Sequence, residues 1–145
     1  MSGVLLCVDA SPAASAATRV ALSVAREFDL RIYALYVHED AELAVRLDRV
    51  RAGKDSHAQQ AQAGAALSDR VAGLAATAGV RTVWIVDDGE PFERILEHAR
   101  ELRPTFIVMG RAGRRGPGRA LLGSQVEHVL DFTEWPVIVV PAPLE

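Results

Sequence analysis

Five short runs of aliphatic and β-branched residues recur along the chain, and they restrict its possible folds more than any other feature. They are Val4–Val8, Ile32–Val37, Val83–Val86, Phe106–Met109 and Val137–Val140. Each is nearly continuous in apolar character. A strand with one face in water alternates apolar and polar residues, whereas a strand of a parallel sheet covered on both faces does not. The runs therefore predict buried, parallel strands. Helical periodicity fills the gaps. Ala14, Ala17, Thr18, Ala21, Val24, Ala25 and Phe28 recur at helical spacing, behind Ser11 at the N-cap and Pro12 at the first helical position. Over residues 56–78 the same spacing places Leu67, Val71, Leu74, Ala75 and Ala78 on one face, with Gly79 as the stop. Phe92, Ile95, Leu96, Ala99 and Leu102 follow Pro91, and Val126, Val129 and Leu130 mark a last helix beginning near Ser124. The predicted order is β-α-β-α-β-α-β-α-β, an α/β fold with right-handed crossovers.

A chain of 145 residues suits one domain spanning 1–145, and no internal repeat or linker divides it. The stretch Asp40–Asp55 fits the alternation less well. Its Leu43, Leu47 and Val50 form the narrow stripe of a short helix, read either as a surface insertion or as a cover over a ligand at the end of strand two. The net charge of −3 argues against general nucleic-acid binding, which normally needs a basic face. No apolar run approaches the roughly 20 residues that span a bilayer, and the start has no basic leader, so neither membrane insertion nor export is expected. The one cysteine, Cys7, has no internal disulfide partner and suits a reducing cytoplasm.

The chemistry concentrates between Gly110 and Ser124. Gly110, Gly113, Gly116, Gly118 and Gly123 permit backbone angles and close approaches that side chains would block. The segment runs from the end of strand four to the start of the last helix. There, free N–H groups around Ser124 and Gln125 carry partial positive charge and suit an anion. Ser124 adds a hydroxyl, either for a phosphate oxygen or as its own helix's N-cap. Arg111, Arg114, Arg115 and Arg119 lie in the same segment of an otherwise acidic chain, and phosphate is their natural counterpart. The bland alternative is a solvated glycine- and arginine-rich surface loop. Two familiar phosphate motifs fail. Gly118–Ser124 imitates a P-loop, but Ser124 stands where that motif needs lysine, and no G-x-G-x-x-G occurs anywhere.

The spacing Gly110-x2-Gly113-x9-Gly123-Ser124 resembles the nucleotide loop of the universal stress protein family, in its ATP-binding branch. The opening Val4–Ser11 looks like that family's first strand and acidic turn, and Trp135–Pro141 like its closing strand. The resemblance implies a Rossmann-like, doubly wound, five-stranded parallel sheet of order 3-2-1-4-5, with helices on both faces. It implies ATP as ligand (ADP or AMP as alternatives), with Mg²⁺ held through the phosphates. Asp9, beside Ala10 in the turn, would lie near the ribose or a phosphate-bound metal, and the backbone of Val37 would read the adenine edge. Gly110, with Arg111 beside it, would approach the ribose, and Gly113, Gly123 and Ser124 would cradle phosphates. Gln125 departs from the small or aliphatic residue usual after the serine. It is expected either to contact the terminal phosphate or to crowd it. The resemblance also implies a homodimer paired through Val137–Val140.

Duller readings accompany these. Asp9 also suits a turn opening a helix. Cys7 reads as core, His38 as a neighbour of a bound base, and Trp84 and Trp135 as packing. Glu90 and Glu93 read as an acidic first turn. The four histidines show no metal-ligand spacing. Functionally, the leading expectation is a nucleotide-binding regulatory module with little or no turnover. The alternatives are a slow Mg²⁺-dependent ATP hydrolase and a dimeric interaction protein with a vestigial pocket. The H-x-G-H of nucleotidyl transferases and the S-G-G-x-D-S of ATP pyrophosphatases are both absent.

Overall fold

The computed structural model describes residues 2–39, 55–111 and 123–142. The elements run β1 (Gly3–Val8), α1 (Pro12–Phe28), β2 (Arg31–Glu39), α2 (Asp55–Ala78), β3 (Thr82–Gly89), α3 (Pro91–Leu102), β4 (Phe106–Gly110), α4 (Ser124–Phe132) and β5 (Val137–Val140). All strands pair in parallel in the order β3-β2-β1-β4-β5, the order that the resemblance implies. The stretch Asp40–Asp55 lies outside the described residues but for its last residue, which begins α2.

The continuous apolar character of the strands has the predicted cause. Val4, Leu6 and Val8 of β1 pack under α1 and α2 with Ile32, Ala34, Val108, Val71 and Ala75. Leu5 points the other way, joining Leu35, Ile107 and Met109 beneath Ile95, Leu96 and Ala99 of α3 and Val126 and Val129 of α4. Successive side chains of the inner strands thus enter two different cores. The edge strand β3 departs from the expectation of burial: no residue of it is buried, and Val83 and Val86 are 42% and 51% exposed. The face of α1 is nearly all alanine: Ala13, Ala14, Ala17, Ala21 and Ala25 are buried. Such small side chains let the helix axis approach the sheet closely.

Helix ends follow the sequence less uniformly. Gly79 ends α2 at φ +71°, as its position predicts. Asp29 and Arg103 take the same left-handed conformation after α1 and α4's neighbour α3, at φ +53° and +48°, where glycine is the commoner choice. Two residues assigned to apolar faces turn outward. Phe28 is 60% exposed, resting against Phe106 with ring centroids 5.9 Å apart, and Leu130 is 39% exposed.

Candidate functional site

The chain leaves β1 for α1 on one face of the sheet and leaves β4 for α4 on the other. The strand order reverses between these neighbours, so a crevice opens beyond their C-terminal ends, where open α/β sheets bind ligands. Asp9, Ala10 and Ser11 form one lip. Gly110 ends β4 with Arg111 just beyond it, and Gly123 caps α4, which begins at Ser124, on the opposite lip.

Gly110 shows why this position lacks a side chain. A Cβ there would lie 2.8 Å from the carbonyl carbon and Cβ of Ala13 and 2.9 Å from the N of Ala14. The end of β4 touches the first turn of α1, closing the floor of the crevice. Just beyond, the Arg111 N–H donates to the Val140 carbonyl (2.6 Å), and the Arg111 carbonyl accepts from the Gly123 N–H (2.8 Å). The two ends of the glycine-rich excursion are therefore tied together at its base. Gly113, with Arg114, Arg115 and Arg119, lies outside the described residues. The Arg111 side chain is exposed.

The two helix starts on the crevice differ. The Asp9 Oδ1 accepts from the Ser11 N–H at 2.7 Å, and the Ser11 Oγ accepts from the Ala14 N–H at 3.0 Å. Asp9 therefore does serve the turn that opens α1, leaving its second carboxylate oxygen on the lip. Gly123, not Ser124, is the N-cap of α4, with no side chain to cap the first-turn amides. The Gly123 N–H is itself committed to Arg111, so the first-turn donors without an intrahelical acceptor are those of Ser124, Gln125 and Val126, the first two nearest the crevice. Ser124 is exposed at the first helical position, its hydroxyl released from any N-cap duty.

Gln125 departs from both expectations for its side chain. Its Oε1 accepts from the Phe92 N–H (2.9 Å), and its Nε2 donates to the Glu90 Oε1 (2.6 Å). The amide points at the start of α3. Glu90 likewise does more than acidify a first turn: it is the N-cap residue of α3 but makes no cap bond there. The His128 ring stacks on Phe92 at 4.5 Å and 19°, while its Nδ1 bonds the Ser124 carbonyl at 2.7 Å.

Val37 is opposite Asp87 of β3 and one residue past the last β1 pairing, Val8 with Tyr36. It borders the open end of the sheet beside β1. The His38 ring meets Tyr36 edge-on at 4.8 Å, and Tyr36 in turn stacks on Trp84 at 6.1 Å. Burial, then the negative charge of Asp9, push the Cys7 thiol far above its ordinary range, which suits an inert core cysteine. A cavity of about 150 Å³ opens between the β1–α1 turn and α2, lined by Asp9, Ser11, Ser15, Leu67, Arg70 and Val71 among others. It lies on the α1–α2 face and shares Asp9 and Ala10 with the crevice, whereas the uncapped start of α4 lies on the other face. Sequence reading missed one cluster. The His98 Nε2 is 2.8 Å from the Asp87 Oδ2, with an Arg94 guanidinium nitrogen 4.0 Å from that same oxygen. Burial alone would raise the Asp87 pKa, but the hydrogen bonds from His98 and the Asp88 N–H and the charges of His98 and Arg94 outweigh it, and the net shift is downward. The residues are spread over β3 and α3, and no motif announces them.

Among the described residues no group of acidic, histidine or cysteine side chains could hold a metal ion, and no helix is long and apolar enough to cross a membrane. Residues 1–141 match the family model described as the universal stress protein family. A universal stress protein of Methanocaldococcus jannaschii is 31% identical over 140 residues, covering 97% of this chain and 82% of that protein. A longer one from Mycobacterium tuberculosis is 29% identical, and the match spans 94% of this chain but 44% of the relative. Among solved structures, the universal stress protein UspA from Lactobacillus plantarum superposes with a TM-score of 0.76 at 28% identity, covering 96% of this chain and 97% of that one. A universal stress protein from Archaeoglobus fulgidus, solved in complex with dAMP, has a TM-score of 0.69 at 17% identity and covers 97% of this chain and 98% of that one.

Proposed function

The chain belongs to the universal stress protein family, and from that premise we propose that it is a binding module for an adenine nucleotide, ATP foremost, with little or no turnover. The observation that carries this reading is the start of α4. Its N-cap has no side chain, its first-turn amides face the crevice where the winding reverses, and the strand beside it ends on a glycine packed against α1. The dAMP complex of the Archaeoglobus relative supports an adenine nucleotide as the ligand class. Ser124 and the Gln125 N–H take the phosphates, together with Gly113. Gly110 and Arg111 flank the sugar, Asp9 and Ala10 close the opposite lip, and the main chain of Val37 meets the base. Mg²⁺ travels with the phosphates, with the free oxygen of Asp9 available to it. A cytoplasmic setting accords with the unpaired Cys7.

A ligand that binds only the native state raises stability by mass action, about 2.7 kcal/mol at a concentration 100 times Kd. Millimolar ATP is therefore expected to raise the melting temperature, with ADP and AMP following in smaller steps. A melting curve indifferent to all three sinks the proposal. Labelled ATP incubated with the purified protein is expected to turn over no faster than with a Gly113→Glu variant.

The same reading includes a homodimer through β5. Among the described residues this strand pairs only with β4, and Phe132 (61% exposed) and Leu130 lie exposed on the helix leading to it. An uncovered apolar edge is a liability that pairing with a second copy removes. Sedimentation is expected to give a dimer, and a monomer at micromolar concentration contradicts it.

A further inference from the structure

We propose that Gln125 is a positioning residue for the phosphate site, acting as a bridge that holds the start of α4 against the start of α3. This rests on the nucleotide reading above and adds a residue whose part in it is indirect.

α3 begins with an unfilled requirement. Its N-cap residue, Glu90, has the extended backbone of a cap (φ −77°, ψ 119°), but its carboxylate bonds none of the first-turn amides. A helix start left this way exposes donors that a side chain usually meets. The missing acceptor comes from another helix, 33 residues later in the chain: the Gln125 Oε1 takes the Phe92 N–H at 2.9 Å. The other end of the same amide donates to the Glu90 Oε1 at 2.6 Å. Both ends of the amide are thus spent on one turn of α3. His128, one turn further along α4, adds a second tie by stacking on Phe92.

Two consequences follow for the anion site. The Gln125 side chain is drawn away from the crevice, so the position that looks obstructive in sequence leaves the Ser124 and Gln125 N–H groups clear. The direction of those donors is also fixed by something other than the ligand, because the first turn of α4 cannot tilt without breaking two hydrogen bonds on α3. Donors held in place before binding spare the ligand the cost of ordering them. A shorter side chain at this position would leave that orientation to other contacts.

The test is calorimetric titration of adenosine and ATP into the native protein, Gln125→Ala, Gln125→Glu and the double variant Gln125→Glu with Glu90→Gln. Melting curves confirm that each is folded. Gln125→Ala is expected to weaken ATP roughly fivefold, the size of one or two net hydrogen bonds, with adenosine within about twofold. Gln125→Glu sets two carboxylates against each other and is expected to weaken ATP further. The exchange restores the local charge and rebuilds both bonds, with Gln at position 90 as donor and Glu at 125 as acceptor. It is expected to recover most of the native ratio of ATP to adenosine affinity. A side chain that touched the phosphates directly would not be rescued by a change at Glu90. The bridge is overturned if Gln125→Ala leaves that ratio unchanged, or if the exchange binds ATP no better than Gln125→Glu alone. Failure of the native protein to bind any nucleotide takes down the functional reading and this inference together. Native binding with an indifferent ratio takes down the bridge alone.

Discussion

The starts of α1 and α4 lie on the same crevice, approach it from opposite faces of the sheet, and are finished in opposite ways. α1 closes itself: the Asp9 carboxylate takes the Ser11 N–H, and the Ser11 hydroxyl takes the Ala14 N–H. α4 begins on a glycine that can accept with nothing but its carbonyl. Both ends carry the partial positive charge of a helix N-terminus, yet only one has it neutralised from within. The difference separates two duties. The self-capped end meets its donors within its own turn, and the bare end has no side chain of its own to meet them. α3 makes a third case, with its cap borrowed from α4 through Gln125.

The contact between the two lips offers the strongest way to break this comparison. Gly110→Val would press a branched side chain against backbone 2.8 Å away. It is expected to cost about 1–3 kcal/mol, as overpacking does, lowering the melting temperature and abolishing the response to ATP. Native melting would show that β4 and α1 are not in contact as described. Next in size is a pair of substitutions with opposite signatures. Ser11→Ala removes the cap of α1 and is expected to cost about 1 kcal/mol in denaturant unfolding, with the smaller effect on ATP affinity. Gly123→Ser supplies α4 with the cap it lacks. Stability is expected to rise by no more than a few tenths of a kcal/mol while ATP binding weakens. If the two variants exchanged signatures, the assignment of closed and bare ends would be reversed.

The smallest effect asks whether charge ties α3 to the sheet as well as the borrowed cap does. The folded pKa of Asp87 lies below its unfolded value, near 3.9 for a free aspartate. Its ionised form therefore favours folding, a contribution present above that value and lost as pH falls through the lower, folded one. Asp87→Asn is expected to cost about half a kcal/mol at neutral pH, since the pair is partly exposed. The difference from the native protein should vanish toward acid in urea melts recorded across pH. A constant difference down to pH 2 would show that the carboxylate acts by packing alone.

The β–α alternation was legible because both faces of the inner strands are covered, which writes them as unbroken apolar runs, and because Ser11 and Pro12 mark α1 by chemistry that acts within a few residues. The equally apolar Val83–Val86 run misled, since it lies on an exposed edge strand. The Gly110, Gly123 and Ser124 positions were legible as a spacing. What the spacing could not convey is what each glycine is for: Gly110 yields to Ala13 of another element, while Gly123 leaves a cap empty. The bond from the Gly123 N–H to Arg111 was equally hidden. Gln125 read as an intrusion into the site because its partners, Glu90 and Phe92, become neighbours only when α3 and α4 pack side by side. The Asp87–His98 pair escaped for the same reason. Asp29 and Arg103 escaped differently, since left-handed helix ends are ordinarily signalled by glycine. Local rules write themselves into the sequence, whereas contacts made by folding do not.

The hydrogen bond between Gly123 and Arg111 holds the end of β4 and the start of α4 together whether or not an anion is present. With positions 111 and 123 clasped to each other and to β5, closing a somewhat longer connection between them would add only a few tenths of a kcal/mol of entropy. Grafting another peptide between the clasped ends should alter which anion is held without asking the sheet to refold.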